Sequence, residues 1–332
     1  MTTTIKERTP QIAIIIVNYQ TASLVLEHLD KADRQLAAFP GSEIVIVDNA
    51  SPNGDAALLK AELAKRKFQM PVRLITAEDN GGFAAGNNVA LRDVLTGENQ
   101  PDYIFLQNPD AYPHENAFSQ LVAFLEATPK AGIVGARLEG LDERPEVSAF
   151  RFFSAESDFI STARTGVFTK ILSGALVTPP QKEGVFEVDW LCGAAVLIRR
   201  EVFKDVGLLD EAYFLYYEET DFMLQMKRKG WERWYLSDAH YTHIIGQSSG
   251  VKYGKSKEKK IPDYWFDSRR YYFRKNHGLP YTVMADTAWL AGAAFYILRS
   301  LLTFQPTKTL RQNFARFLVH AISGKPRKSE NA

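Results

Sequence analysis

The 332-residue chain has one cysteine, Cys192, so it can form no internal disulfide and no multi-cysteine metal site, a usage that suits a reducing compartment. No Gly-Lys-Ser/Thr follows its glycine-rich turn at Asn80–Asn88, and no G-x-G-x-x-G follows its first predicted strand. P-loop NTPase and nicotinamide dehydrogenase readings thereby lose their main support. The start, MTTTIKERTP, leads into no apolar segment with a cleavage site, so no secretory leader is expected. The apolar run 287–298 falls short of the ~20 residues that cross a bilayer, which makes it a buried or interfacial helix. No internal repeat is visible. With 45% hydrophobic and 24% charged residues, 21 Gly and 15 Pro, the composition excludes collagen-like, disordered and coiled-coil classes.

The net charge of +1 conceals an asymmetry. Residues 251–332 hold 16 Lys/Arg and 5 Asp/Glu, leaving 24 and 34 for residues 1–250, so a −10 segment precedes a +11 segment. This divides the chain into an expected catalytic domain, 1–250, and a basic, helical extension, 251–332, which contains a lysine-rich loop at 251–260 and a disordered tail after residue 323.

Within the first segment, short β-branched runs alternate with stretches of helical spacing. Runs 12–17, 44–47, 72–75 and 103–106 predict strands of a parallel sheet with helices on both sides. Leu24, Leu26, Leu29, Ala32 and Leu36 mark one face of the first helix. A further strand is predicted over 188–199 and a short helix over 200–206 ending at Gly207. Helical spacing then runs to Lys229-Gly230, and the next strand is predicted at 233–236.

Each early strand ends in a polar cluster. The clusters are Asn18-Tyr19, Asp48-Asn49-Ala50-Ser51, Glu78-Asp79-Asn80-Gly81-Gly82 and Gln107-Asn108-Pro109-Asp110. In open α/β sheets ligands lie beyond the carboxyl ends of the strands, so the four clusters should meet in one crevice. Asp48 and Asn49 could address a ribose or base edge, or merely cap a turn. The glycine-rich turn from Asn80 can bring backbone N–H groups against phosphate. Asp110, fixed by a proline, could ligate Mg²⁺ or Mn²⁺ or simply sit in an Asn-Pro turn. Glu218-Glu219-Thr220-Asp221 opens a helix, where repulsion and burial could produce a general base and where acids also answer the helix dipole.

Six segments in this order resemble the inverting glycosyltransferases of family 2, which have the GT-A fold, and most of all their bacterial rhamnosyltransferase-type branch. They are 15–19 (IIVNY), 47–51 (VDNAS), 80–88 (NGGFAAGNN), 106–111 (LQNPDA), 190–195 (WLCGAA) and 214–221 (FLYYEETD). The resemblance covers about residues 10–250. It implies an α/β fold with a Rossmann-like, mostly parallel sheet and a nucleotide-sugar donor, dTDP-L-rhamnose or a UDP-sugar. Val17, Asn18, Tyr19, Asp48, Asn49, Asn80, Gly81, Gly82, Phe83, Asn87, Gln107 and Asn108 would hold that donor. Asp110 would bind the divalent cation, Mg²⁺ or Mn²⁺, with His243 close to it. Glu219 matches the base, with Glu218 and Asp221 in support, while Trp190, Cys192 and Gly193 would face the acceptor. Asn108 stands where the family's Asp-X-Asp motif begins, leaving one carboxylate for the metal. A glutamate at the base position, beside another, leaves Glu218 and Glu219 both open.

The acceptor would be a glycan or lipid-diphosphate-linked saccharide in bacterial surface polysaccharide synthesis. The basic segment suits an anionic membrane surface, which predicts a cytoplasmic protein peripheral on the inner face of the membrane. No nucleic-acid partner is expected, because no reading helix or RNA-binding aromatic pair accompanies the charge. A homo-oligomer stays open. A sugar nucleotidyltransferase is disfavoured by Asn18-Tyr19-Gln20-Thr21, where it would carry a basic triphosphate loop, and an inactive scaffold by the retained acids.

Overall fold

Alternation along the first strand divides the core. In β1 (Ile12–Asn18), Ile12, Ile14 and Ile16 join one apolar cluster while Ala13 and Ile15 join another on the opposite face of the sheet. A sheet covered on both faces needs such unbroken apolar strands. The computed structural model describes residues 9–97, 99–180, 182–244, 260–304 and 307–324. The lysine-rich loop expected at 251–260, apart from Lys260, and the tail beyond 324 lie outside them.

The strands β2 (Glu43–Asp48), β3 (Val72–Thr76) and β4 (Tyr103–Gln107) fall on the predicted runs. They alternate with helices α1 (Ala22–Leu36), α2 (Asp55–Leu63) and α3 (Gly82–Thr96). On α1 the buried stripe is Ala22, Val25, Leu26, Leu29, Ala32 and Leu36; Leu24 lies at its edge. The chain continues through β5 (Ala111–Pro113), α4 (Ala117–Ala127), β6 (Ala131–Glu139), β7 (Ala149–Phe150), α5 (Ala155–Ala163) and α6 (Gly166–Ile171). Next come β8 (Val185–Glu187), β9 (Trp190–Leu191), β10 (Ala195–Arg199), α7 (Arg200–Val206), α8 (Glu218–Arg228) and β11 (Glu232–His243). Sheet order is β3-β2-β1-β4-β10-β6-β11-β5, with β8 also on β11. Register makes β1–β4, β6 and β11 run one way and β10, β5 and β8 the other. The sheet is therefore mixed but mostly parallel.

Two strand expectations need correction. The strand expected over 188–199 is broken at Cys192–Ala194: β9 pairs with β7 in a separate two-stranded sheet, and β10 enters the main sheet between β4 and β6. The break exists because Cys192 N–H bonds Ser148 O and Gly193 N–H is directed to a side chain. The strand expected at 233–236 extends to His243, so that histidine ends the strand instead of lying beyond it.

After residue 260 come α9 (Asp263–Leu302) and α10 (Lys308–Ser323). A straight helix would separate residues 17 apart by about 25 Å. Arg269 nevertheless meets Asp286 at 2.5 Å, and the Phe273 and Tyr281 ring centroids lie 5.8 Å apart. The chain reverses at Gly278 (φ 82°), so α9 is two antiparallel segments. Run 287–298 lies in the second, with Trp289, Gly292 and Ala293 buried and Phe295 and Leu298 exposed. A Cβ on Gly292 would lie 2.3 Å from Thr162 Oγ1, which shows how closely α9 seats on α5. Tyr272, Phe273 and Ala285 share a core with Ala155, Tyr213, Tyr217 and Leu224. Among the described residues no helix is long and apolar enough to cross a membrane.

Candidate functional site

The polar strand ends meet, as the sheet rule requires. Asn18 Nδ2 donates to Asp48 Oδ1 (2.7 Å) and Asp55 Oδ2 (3.1 Å), while its Oδ1 accepts from Thr21 N–H and hydroxyl. Asp48 Oδ2 accepts from Ser51 N–H. Asn18 and Asp48 are buried, so they fix the floor of the crevice. Asn49 Nδ2 donates to Asn80 Oδ1 (2.8 Å) and Gly82 O (3.1 Å), joining the second and third clusters.

The glycine-rich turn is shaped by a backbone contact. Gly82 has φ 85°, and a Cβ there would lie 1.7 Å from Phe214 O, which also accepts from Phe83 N–H at 3.0 Å. Only glycine permits that approach. A Cβ on Gly86 would press on Val17 and Asn49, so α3 packs directly on the end of β1. Gly81 caps α3, and Asn87 Nδ2 donates to Phe83 O within that helix. Tyr19 is half-buried at the start of the turn after β1.

Beyond β4, Gln107 is buried with its Oε1 unpartnered, and Asn108 N–H bonds Ala194 O. Asp110 is fully buried and neither carboxylate oxygen has a hydrogen-bond partner. His243 Nε2 lies 3.5 Å from Asp110 Oδ1 and 3.5 Å from Asn108 Nδ2; its Nδ1 faces Glu146 Oε2 at 3.3 Å. Burial alone would lower the imidazole, but Asp110 and Glu146 hold it up at about 9. Among the described residues no three His, Cys, Asp or Glu stand ready to hold an ion unaided. An orphaned carboxylate beside an imidazole fits Mg²⁺ or Mn²⁺ that draws its remaining oxygens from a diphosphate and water. Nε2 can ligate only after losing its proton.

The acids of α8 differ in their surroundings. Glu219 Oε1 accepts from Gly193 N–H at 2.6 Å, and burial raises its carboxyl to about 7. Glu218, buried with Oε2 unpartnered beside Glu219, is pushed well above the carboxylate range, chiefly by burial. Asp221 does not join them. Its carboxylate takes Lys275 Nζ (2.6 Å), Asn276 Nδ2 (2.6 Å) and Gln225 Nε2 (3.3 Å), tying α8 to α9. His243 and Glu219 still sense each other's charge, and Glu219, Asp110 and Glu146 all act on Cys192. The base candidate and the metal candidate thus border one space.

On its other side, Trp190 stacks on Phe150 at 4.1 Å and donates Nε1–H to Arg151 O. Partly buried Cys192 packs against the main apolar cluster, and burial pushes its thiol above the ordinary range, which disfavours a nucleophilic role. Glu146 and Phe214 escape sequence reasoning: one sits in an unpatterned loop, and the other acts through its carbonyl.

A family model described as "Glycosyltransferase like family 2" matches residues 10–257. The low-salt glycan biosynthesis hexosyltransferase Agl10 of Haloferax volcanii is 26% identical over 219 residues, 66% of this chain and 62% of that protein. That match spans less than two thirds of the relative's length. The N-acetylglucosaminyl-diphospho-decaprenol L-rhamnosyltransferase of Mycobacterium tuberculosis is 25% identical over 236 residues, 67% of this chain and 74% of that one. Among solved structures, the mannosyltransferase PcManGT from Pyrobaculum calidifontis, in complex with GDP-Man and Mn²⁺, aligns with TM-score 0.50 at 17% identity, covering 95% of this chain and 86% of its own. At that identity the likeness concerns the fold alone, and the fold is the GT-A type.

Proposed function

The chain belongs to the glycosyltransferase-like family 2, and on that premise we propose that it is an inverting glycosyltransferase that moves a sugar from a nucleotide-sugar donor to a hydroxyl of a glycan or lipid-linked saccharide. The observation that carries this reading is Glu219, a buried carboxylate held by Gly193 N–H and raised to about 7, bordering the same space as Asp110 and His243. A hydroxyl is a poor nucleophile at neutral pH, and a base helps most when its pKa lies near the operating pH.

Glu219 accepts the acceptor's proton as its oxygen bonds to the anomeric carbon. The bond from that carbon to the diphosphate breaks on the opposite face, the nucleoside diphosphate leaves with the electron pair, and one displacement inverts the centre. Burial pushes the Glu218 carboxyl up and favours its protonated form, which leaves Glu219 as the better-placed acceptor of this proton. A divalent cation, when bound by Asp110 and His243, would neutralise charge on the diphosphate. Asn49, Asn80 and the turn at Gly81–Phe83 line the donor side, the turn giving it shape while its own N–H groups bond Asp79 O, Asn80 Oδ1 and Phe214 O, and Trp190 and Gly193 line the acceptor side.

The Mycobacterium relative, named as an L-rhamnosyltransferase acting on a diphospho-decaprenol acceptor, supports dTDP-L-rhamnose as donor and a lipid-linked acceptor. A lipid-linked acceptor and the basic C-terminal segment support seating on the cytoplasmic leaflet. A panel of nucleotide sugars with Mg²⁺ or Mn²⁺, scored for nucleoside diphosphate release, tests the reading. Glu219→Gln should lose on the order of 10²–10⁴-fold in turnover while keeping donor-dependent thermal stabilisation. Near-normal transfer by that variant would sink the assignment; stabilisation by no donor would point to a scaffold.

A further inference from the structure

Two stretches without any acid lie far apart in the sequence. Residues 159–182 and 287–329 contain no Asp or Glu, whereas 67 residues at the chain's average of 39 in 332 would hold about eight. They carry ten Lys/Arg between them. The fold brings them together. Phe168 on α6 packs edge-on against Phe295 on α9 at 5.2 Å, Arg299 Nη2 donates to Arg164 O at 3.0 Å, and the Arg164 and Arg299 guanidinium groups both lie over Tyr296.

At this tip the apolar side chains face outward. Val167 and Ile171 on α6 are 67% and 70% exposed; at the end of α9, Leu298 and Leu302 are 60% and 75% exposed, and Phe304 just after it 96%. None belongs to an apolar core cluster of the described residues. Single exposed apolar residues are ordinary, but a cluster rimmed by cations is the pattern of an interfacial surface. Lys170, Arg299, Lys308 and Arg311 supply that rim, and neither stretch contains an acid.

We infer that the tip formed by α6, the end of α9 and the start of α10 is the surface through which the protein docks on an anionic lipid bilayer. The inference rests on the membrane seating proposed above and gives it residues. Apolar side chains enter the headgroup boundary while the cations meet lipid phosphates, their long stems reaching from the apolar surface to the charge. A second copy fits less well, because a two-fold contact would press one acid-free basic rim against another.

Flotation of the full chain with vesicles of phosphatidylcholine containing about one third phosphatidylglycerol, against vesicles of phosphatidylcholine alone, tests this. Two variants accompany it, Leu298→Ser/Leu302→Ser/Phe304→Ser and Lys170→Glu/Lys308→Glu/Arg311→Glu, each checked for an unchanged unfolding midpoint and sedimentation. The full chain should float with the anionic vesicles and release at high salt. Both variants should partition at least about tenfold more weakly, since each removes one of the two attractions. If the full chain floats and both variants float equally well, the face is wrong while the seating survives. If the full chain does not float, the seating fails with it. A dimer of the full chain that the serine variant dissociates, without flotation, assigns the tip to a second copy and overturns the proposal.

Discussion

Gly193 matters for what it lacks. A Cβ there would lie 2.3 Å from Glu219 Oε1 and 3.3 Å from Phe83 Cζ, so even alanine must displace the carboxylate its own N–H now holds. Gly193→Ala should lower kcat about 10- to 100-fold with a smaller change in donor KM, as expected when a base is misplaced by a fraction of an ångström. The sign of the pH effect follows from the same bond. Glu219 must be ionised to act, so turnover should rise with pH through about 7. The Gly193 N–H stabilises the ionised form, and its loss raises the pKa, moving the acid limb of the kcat profile to higher pH. A limb that stays in place in the variant would show that another group sets it.

At the scale of elements, α8 is the piece that carries the proposed base, and its attachment is unexpected from sequence. Asp221, 2% exposed, is paired by Lys275 and Asn276 from the first segment of α9. Removing both leaves the buried carboxylate only the 3.3 Å bond from Gln225 Nε2, and losing one partner costs about 3–5 kcal/mol in a fully buried pair. Lys275 is about a third exposed, so water restores part of it. Lys275→Ala/Asn276→Ala should therefore cost about 1–3 kcal/mol, read from urea unfolding, and should lower kcat through the loosened helix. Retained stability would make the attachment incidental. The break between β9 and β10 is another element-level device, since it turns Gly193 N–H away from a ladder and toward Glu219.

Across the whole molecule the basic C-terminal segment is part of the core. Arg269, 0% exposed, pairs with Asp158 on α5 and with Asp286 on the second segment of α9, each at 2.5 Å. A chain ending at residue 250 would lose Arg269, Lys275 and Asn276 together, taking the guanidinium from Asp158 and leaving Asp221 only Gln225. Arg269→Met should destabilise by about 3–5 kcal/mol at pH 7. Burial already pushes the Asp158 carboxyl up, and without the guanidinium it rises further. A folded-state pKa above the unfolded value means that protons favour the fold, so part of the loss should return as pH falls. Urea unfolding at pH 7 and at about pH 5 measures this; equal losses at both would exclude the two carboxylates as the cause.

The amino-acid sequence by itself determined the strands β1 to β4, the face of α1 and the polar clusters at strand ends, because periodicity and β-branched runs are local properties. It also made the glycine-rich turn and Asp110 visible, since a glycine or a proline-held acid at a strand end has few local uses. It favoured Glu219 over Glu218 only through the family resemblance, with both still open. Only the tertiary structure separated them, by giving Glu219 a backbone donor from a segment 26 residues away and Glu218 an unpartnered oxygen. The reversal at Gly278, the coupling of Asp221 to α9 and the third neighbour of His243, Glu146, were likewise beyond sequence reading. Each is a contact between groups that no local period relates, and burial and charge shift a carboxyl only where such contacts close. The charge asymmetry shows both sides. Its existence is a property of composition, but the gathering of two acid-free stretches at one exposed apolar tip was decided by how α6 packs on α9.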